Sequence, residues 1–211
     1  MDTKSGIEIV SENIISVNEN LSFLKSSEHP LSADVYFIKG EKHTYIVDVG
    51  SNDEAFAIIN SIPDKKVIIT HFHEDHTGNL KRLEIPDEDV FVGNYAGKYL
   101  GKGTVVGEPM VIPDGVKIGI VPIPNSHAKG SLCVTVDEEY LILGDAFYSN
   151  VKGYNVSLLG EEIRLLESLR FDKVLMSHKE RPHSREEVFS VLNKIFSQRE
   201  KEKPYIPVYD D

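Results

Sequence analysis

Short runs of apolar residues, separated by turn formers, recur along the first quarter of the chain. Runs of four to seven residues, rich in β-branched and aromatic side chains, occupy residues 7–10, 13–16, 34–39 and 43–49. Runs of this length and composition are typical of β-strands, because branched and aromatic side chains pack well on a pleated surface. The pattern therefore predicts an antiparallel sheet at the start of the chain.

Helical spacing of apolar residues first occurs after residue 50. Phe56, Ile58 and Ile59 lie on one helical face, and Ser51 and Glu54 ahead of them have the spacing of a capping box. A helix is therefore predicted here. The following segment "KKVIIT", at 65–70, ends in a continuous apolar run that predicts a buried strand.

The second half of the chain repeats this alternation. Strands are predicted at 117–123, 131–136, 139–143 and 173–177, with a helix near 157–169. A last helix is predicted after Ser184 and Glu187, which again have capping-box spacing. Strands grouped with helices in both halves favour an α/β (α+β) fold in which two sheets pack together with helices outside.

Composition and charge narrow the class of protein. With 211 residues and 40% hydrophobic content, the chain can bury the core of one domain, predicted to span residues 1–211. The formal net charge of −11 opposes binding to nucleic acid and to anionic membranes. Cys133 is the only cysteine, and neither a signal peptide nor a membrane span is expected. The chain is predicted to be a cytoplasmic monomer or homodimer that acts on a small molecule.

The segment "THFHEDHTGNL", residues 70–80, contains the densest group of candidate metal ligands. His71 and His73 are two residues apart, which places both imidazoles on the same side of an extended backbone. Asp75 and His76 follow where the chain is predicted to turn into a helix. A divalent ion such as zinc requires several converging nitrogen and oxygen donors, and this turn could supply them to two neighbouring ions. Four donors within six residues favour a metal site over a polar loop.

Three further candidate ligands occur later in the chain. His127, Asp145 and His178 each follow a predicted strand and precede a turn or helix. Loops at strand ends are places where a rigid scaffold carries chemistry. These three residues are therefore expected to join the histidine cluster.

The seven residues in this order resemble the metallo-β-lactamase fold superfamily. Its pattern is H-x-H-x-D-H, followed by a histidine, a bridging aspartate and a last histidine. The segments "IVDVG" at 46–50 and "PDGVKIG" at 113–119 also resemble strands that lead into the motifs of this superfamily. The resemblance implies a four-layer αββα sandwich, in which two mixed β-sheets pack face to face with helices outside, and a binuclear metal site.

The resemblance also implies which residues hold each metal ion. One divalent ion would be bound by His71, His73 and His127, and the other by Asp75, His76 and His178, with Asp145 bridging both. Zinc is the first choice for both ions, with manganese or iron as alternatives. Asp48 matches an aspartate that orients a ligand histidine from behind, although a carboxylate that caps the next turn is a structural alternative.

The implied activity is metal-dependent hydrolysis of a small-molecule ester, lactone or thioester. A hydroxide bridging two metal ions would attack an electron-poor carbonyl. Asp75 and Tyr148 are the candidates for direct catalytic roles. Tyr148 lies three residues after Asp145, as a tyrosine does in quorum-quenching lactonases, and its phenol could donate a hydrogen bond to a developing oxyanion. Packing against the fold is the alternative role for this ring.

Differences from other branches of the superfamily argue against two further activities. β-Lactam hydrolysis is disfavoured because Asp145 occupies the position at which those enzymes typically have a cysteine. A glutathione thioester is not favoured, because few residues follow His178 to form a glutathione-binding region. A mononuclear iron enzyme similar to the persulfide dioxygenases, and a metal-binding module without catalytic activity, remain as alternatives.

Overall fold

The computed structural model describes residues 11–179 and 181–208. Within them, two β-sheets stack face to face, and helices cover the outer face of each sheet. The predicted α/β (α+β) class and the αββα sandwich are therefore confirmed. The strand predicted at 7–10 lies outside the described residues, and a single domain over 1–211 stays a prediction.

The N-terminal half of the chain supplies the first sheet. The strands in this half of the chain are β1 (Ile14–Ser16), β2 (Leu21–Leu24), β3 (Ser27–Glu28), β4 (Leu31–Ser32), β5 (Val35–Lys39), β6 (Thr44–Val47), β7 (Lys65–Ile68), β8 (Val90–Val92) and β9 (Thr104–Val105). Seven of them form one sheet in the order β1-β2-β5-β6-β7-β8-β9, while β3 pairs with β4. Strands β6 to β9 run parallel, so their C-terminal ends lie at one edge of the sheet.

The C-terminal half supplies the second sheet. The strands in this half of the chain are β10 (Met110–Pro113), β11 (Lys117–Ile123), β12 (Ser131–Val136), β13 (Tyr140–Ile142), β14 (Tyr154–Asn155), β15 (Lys173–Leu175), β16 (His183–Ser184) and β17 (Tyr205–Ile206). Six of them form a sheet in the order β10-β11-β12-β13-β15-β16, while β14 pairs with β17. Strands β13 and β15 are parallel neighbours.

Helices form the two outer layers. They are α1 (Asp53–Ser61), α2 (Glu74–Thr77), α3 (Asn94–Leu100), α4 (Val156–Ser168) and α5 (Arg185–Ser197), with 3₁₀ turns at Gly78–Lys81 and Asp87–Asp89. Helices α1 and α3 pack on the first sheet, and α4 and α5 pack on the second. Within residues 11–179 and 181–208, none of the helices has both the length and the apolar character needed to cross a membrane.

Both faces of the central strands are buried, which explains their nearly continuous apolar sequences. In β6, Tyr45 and Val47 face the core between the two sheets, whereas Ile46 faces the core beneath the helices. This alternation follows from the two-residue repeat of a strand. Packing on both faces thus fixes the register of the central strands as far as the edge of the sheet where the candidate ligands lie.

The N-terminus of α1 differs from the predicted capping box. The cap is Asn52, whose side-chain oxygen accepts a hydrogen bond of 2.8 Å from the amide of Ala55. Ser51 instead donates its hydroxyl proton to the carbonyl oxygen of Leu31, and Glu54 accepts from residues at the start of the chain. Tertiary contacts have therefore replaced the local ones. The capping box predicted for α5 is confirmed.

Glu162 lies on the face of α4 that is buried against the second sheet. Its side chain is fully buried, and neither carboxylate oxygen has a hydrogen-bond partner among the described residues. Burial raises the pKa of this carboxyl well above its usual range. The nearby titratable groups are the Cys133 thiol and the Tyr154 phenol, which are also neutral. The carboxyl is therefore held in the core as the neutral acid.

Replacing Glu162 with leucine is expected to increase the free energy of unfolding by about 1–3 kcal/mol near neutral pH, because an unpaired polar group leaves the core. The folded protein holds a proton on Glu162 that the unfolded chain releases above a pKa of 4.5. The stability of the native protein therefore falls as the pH rises above this value. The advantage of Glu162→Leu should grow from about pH 6 to about pH 9, as measured by chemical denaturation.

The neighbouring residue offers a matched control for this measurement. Glu161 is exposed on the same helix, so Glu161→Leu should change neither the stability nor its pH dependence appreciably. A constant difference between Glu162→Leu and the native protein at every pH would contradict the assignment of an unpaired buried acid.

Candidate metal centre

The seven predicted ligands converge at one edge of the two sheets. Four of them follow β7, one follows β11, one follows β13 and one follows β15; in this order they are His71, His73, Asp75 and His76, then His127, Asp145 and His178. Because β6, β7 and β8 are parallel, and β13 and β15 are parallel, the connections after these strands leave at the same edge. The sheets thus bring together residues that are far apart in sequence.

The side chains form two groups with converging ligand atoms. His71, His73 and His127 make up the first group, and Asp75, His76, Asp145 and His178 make up the second; within each group the ligand atoms all lie within 4.8 Å of one another. His71, His76 and Asp145 are buried, while the other four are partly exposed. The centre is therefore anchored in the protein interior and open on one side.

Asp145 lies between the two groups. Its Oδ2 atom is 3.4 Å from His76 Nε2 in its own group, and 3.6 Å and 3.9 Å from the Nε2 atoms of His127 and His71 in the other. One carboxylate oxygen therefore faces both groups, as a ligand shared by two ions would. The second oxygen, Oδ1, is buried and has no hydrogen-bond partner among the described residues.

Asp48 orients two of the histidines, His76 by a direct hydrogen bond and His71 through the hydroxyl of Thr70. Its Oδ2 atom accepts a hydrogen bond of 2.7 Å from His76 Nδ1 and another of 2.7 Å from the Thr70 hydroxyl. Because the hydroxyl proton of Thr70 points to Asp48, its oxygen is free to accept from His71 Nδ1 at 3.1 Å. His71 therefore carries its proton on Nδ1, and both histidines turn Nε2 toward the centre.

The backbone around Asp48 is specialised for this contact. Asp48 has φ of 59°, in the left-handed region that non-glycine residues seldom adopt, and its side chain is fully buried. Its Oδ1 atom also accepts from the amide of Thr70 at 2.8 Å. The carboxylate thus ties the end of β6 to the segment that follows β7, where the histidine cluster begins.

In the first group, the ring nitrogens that face one another cannot all be satisfied by hydrogen bonds. His127 Nδ1 lies 3.2 Å from the carbonyl oxygen of Ser149, which can only accept, so the proton of His127 is on Nδ1 and its Nε2 is bare. His73 Nδ1 faces this bare nitrogen at 3.1 Å and the bare Nε2 of His71 at 3.0 Å. At most one of the two contacts can be a normal hydrogen bond. Three converging imidazole nitrogens are, however, a suitable donor set for a divalent cation.

The charges in the second group also favour a cation. Burial disfavours a charged His76, yet the carboxylates of Asp48 and Asp145 raise its pKa to about 10. Despite burial, the hydrogen bond with His178 keeps the pKa of Asp75 below its usual value, so this carboxylate is ionised. His76 Nε2 is buried and has no hydrogen-bond partner among the described residues. The residues present therefore fit a metal ion, which would satisfy the orphaned atoms and supply the positive charge.

Asp34 is a site residue that the sequence analysis does not identify. It is fully buried, and its two carboxylate oxygens accept from the amides of Ser26 at 2.7 Å and His178 at 2.8 Å. Burial raises the pKa of Asp34 to about 6, against the lowering effect of these two donors. His178 has φ of 62°, so Asp34 holds a strained backbone that presents the last histidine. In the sequence, the role of Asp34 is indicated only by a single carboxylate at the start of an apolar strand.

Tyr148 lies beside the centre, but its hydroxyl already has a partner. It donates a hydrogen bond of 3.1 Å to the carbonyl oxygen of Ser177, and its ring centroid is 6.4 Å from that of His127. Burial, with the nearby charge of Asp145, raises the pKa of Tyr148 to about 12, so the phenol is neutral and can donate near pH 7. To reach a substrate oxygen, it would have to exchange its present acceptor. A catalytic role for Tyr148 stays a prediction.

Comparison of the sequence with known proteins finds matches over part of the chain. A family model described as the metallo-beta-lactamase superfamily matches residues 30–85. A hydroxyacylglutathione hydrolase from Haemophilus ducreyi is 25% identical over 134 residues, which are 60% of this chain and 55% of that protein. A second one, from Glaesserella parasuis, is 24% identical over 119 residues, 54% of this chain and 50% of that protein. The match thus spans about half the length of these curated relatives.

Solved structures match over a larger part of the chain. A metallo-beta-lactamase from Pontibacter korlensis superposes with a TM-score of 0.67 at 15% identity, covering 85% of this chain and 96% of that one. A flavo di-iron protein variant from Thermotoga maritima gives a TM-score of 0.70 at 15% identity, covering 92% of this chain and 63% of that one. The chain therefore has the metallo-β-lactamase fold.

Proposed function

We propose that this protein is a metal-dependent hydrolase that cleaves an ester, lactone or thioester bond in a small molecule. The observation that carries the proposal is the convergence of seven donors into two adjacent groups with one carboxylate between them. His71, His73 and His127 would hold one divalent ion and Asp75, His76 and His178 the other, with Asp145 shared. Zinc is the first choice, because imidazole nitrogen and carboxylate oxygen are ligands that it binds well.

The chain's own residues supply orientation and charge. Two bound divalent ions would provide an activated water and polarise the carbonyl of the substrate. Asp48 and Thr70 hold the imidazoles of His76 and His71 so that Nε2 of each ring points inward. Asp145 and Asp75 place negative charge among the histidines, and Asp75 is our candidate to assist catalysis directly. The open side of the centre admits the substrate.

The names of the curated relatives support hydrolysis of an acyl group. Both are called hydroxyacylglutathione hydrolase, so a thioester belongs in the first substrate screen beside lactones and oxygen esters. Tyr148 would take part by donating to the substrate oxygen if it leaves the carbonyl of Ser177. Oxygen uptake measured in the same screen would distinguish an iron-dependent oxidation from hydrolysis.

Replacing His73 with alanine is expected to lower hydrolysis of any accepted substrate by at least about 100-fold, because one of three converging nitrogens is lost. Treatment of the native protein with a chelator should have a comparable effect, and added zinc should restore activity only to the native protein. Initial rates with a lactone, a thioester and an activated ester measure this loss.

His43 provides the matched control. It lies at the opposite end of β6 from Asp48, beside Asp114, and contributes to neither group of ligands. His43→Ala should keep the native rate and metal response. Full activity in a folded His73→Ala protein would refute a catalytic metal centre.

Replacing Asp48 with asparagine should weaken metal binding about 10–100-fold, because the amide is a poorer acceptor for His76 Nδ1 and the Thr70 hydroxyl. Competition with a chromophoric chelator measures the affinity. Asp114→Asn is the control, because Asp114 is likewise buried and accepts from the amides of Lys42 and His43 far from the centre. If both variants bind metal as tightly as the native protein, Asp48 does not orient the ligands.

A further inference from the structure

Three aromatic side chains form a continuous surface beside the candidate metal centre. Phe72 lies between His71 and His73 in sequence, and its ring meets the ring of His73 edge-on, with 4.9 Å between centroids. The rings of Tyr95 and Tyr99, both on α3, lie 5.1 Å and 4.9 Å from the ring of Phe72. We call Phe72, Tyr95 and Tyr99 the aromatic wall.

Both tyrosines of the aromatic wall are largely exposed to solvent. Tyr95 is 43% exposed and Tyr99 is 64% exposed, whereas Phe72 is partly buried against the core beneath α1 and α3. Single exposed apolar groups are common on protein surfaces and need no function. Here, however, Phe72 contacts both tyrosine rings and also the ring of His73, a candidate ligand of the metal centre. An aromatic surface in this position can hold part of a substrate.

The fold places the aromatic wall directly against the loop that carries His127. A Cβ atom added at Gly93, just before α3, would lie 1.9 Å from the carbonyl oxygen of Gly130. One added at Gly130, which has φ of 67°, would lie 2.6 Å from the amide nitrogen of Tyr95. Both contacts require glycine, so the first turn of α3 packs backbone to backbone against the His127 loop. The aromatic wall is therefore held between the segments that supply His73 and His127.

Beyond Tyr99 there is room for an apolar group. Tyr99 lines a partly open cavity of about 240 Å³ together with Leu80 and Leu100, and polar residues of α2, Gly78 and two lysines complete the lining. A cavity of about 150 Å³ is already large enough to bind benzene. A phenyl ring or a branched alkyl group thus fits beside Tyr99.

We propose that the aromatic wall binds an aromatic or bulky apolar group of the substrate and so selects for esters, lactones or thioesters that carry one near the scissile carbonyl. This proposal rests on the hydrolase function proposed above. Rings that stack or meet edge-on attract one another beyond the burial of apolar area, so an arylacyl group gains from all three side chains.

The test compares phenylacetyl and acetyl esters of the same alcohol. The ratio of kcat/KM for the two esters is expected to favour the phenylacetyl ester, and Tyr99→Ala and Tyr95→Ala should each lower this ratio on the order of tenfold. Tyr99→Phe should keep the ratio, because it retains the ring. Val111→Ala is the control, because Val111 is 56% exposed on β10 and lies outside the aromatic wall.

A binding measurement separates this proposal from the hydrolase function. Ligand-observed NMR on the zinc-loaded protein should show phenylacetate binding more tightly than acetate, and Tyr99→Ala should remove the difference. If the native protein hydrolyses neither ester but keeps this preference, the hydrolase function fails and the aromatic site stands. If neither the kcat/KM ratio nor phenylacetate binding changes in Tyr99→Ala, the aromatic site is refuted. A change only in oligomeric state, seen by light scattering, would make the aromatic wall a contact between copies of the chain and would also refute it.

Discussion

Seven imidazole and carboxylate groups are held within a few ångströms of one another, and their mutual electrostatics favour a cation among them. Unprotonated nitrogens of His71 and His127 face the same atom of His73, while one buried oxygen of Asp145 has no hydrogen-bond partner within the part of the chain that the structure describes. Packing of this kind is costly unless a positive charge sits among the donors. The two sheets, the strained turns at Asp48 and His178, and the buried Asp34 all serve to hold these groups in place.

The fold achieves this convergence by simple topology. Parallel strands in each sheet end at one edge, so residues that follow β7, β13 and β15 meet there, although they are separated by more than half of the chain. Helices on both outer faces bury the central strands, which holds this edge in place. The connections between strands supply the side chains around the centre, and one of these connections contains α3 with its two exposed tyrosines.

Much of this could be predicted from the sequence, because the signals are local. The histidine cluster follows a recognisable buried strand, and the capping box of α5 involves residues three apart. Contacts made across the fold gave no such signal. Asn52 caps α1 because the side chains of Ser51 and Glu54 bind distant residues. Asp34 and Thr70 matter only through hydrogen bonds that tertiary structure creates, and α3 is absent from the prediction because its seven residues have too little periodicity.

Elemental analysis of the purified, tag-free protein tests most directly whether the convergent side chains form a two-metal centre. We predict two zinc ions per chain in the native protein, and a loss of at least one of them in His76→Ala, since that residue belongs to the second group of ligands. A single iron ion per chain, or no metal retained after incubation with zinc followed by desalting, would contradict the account.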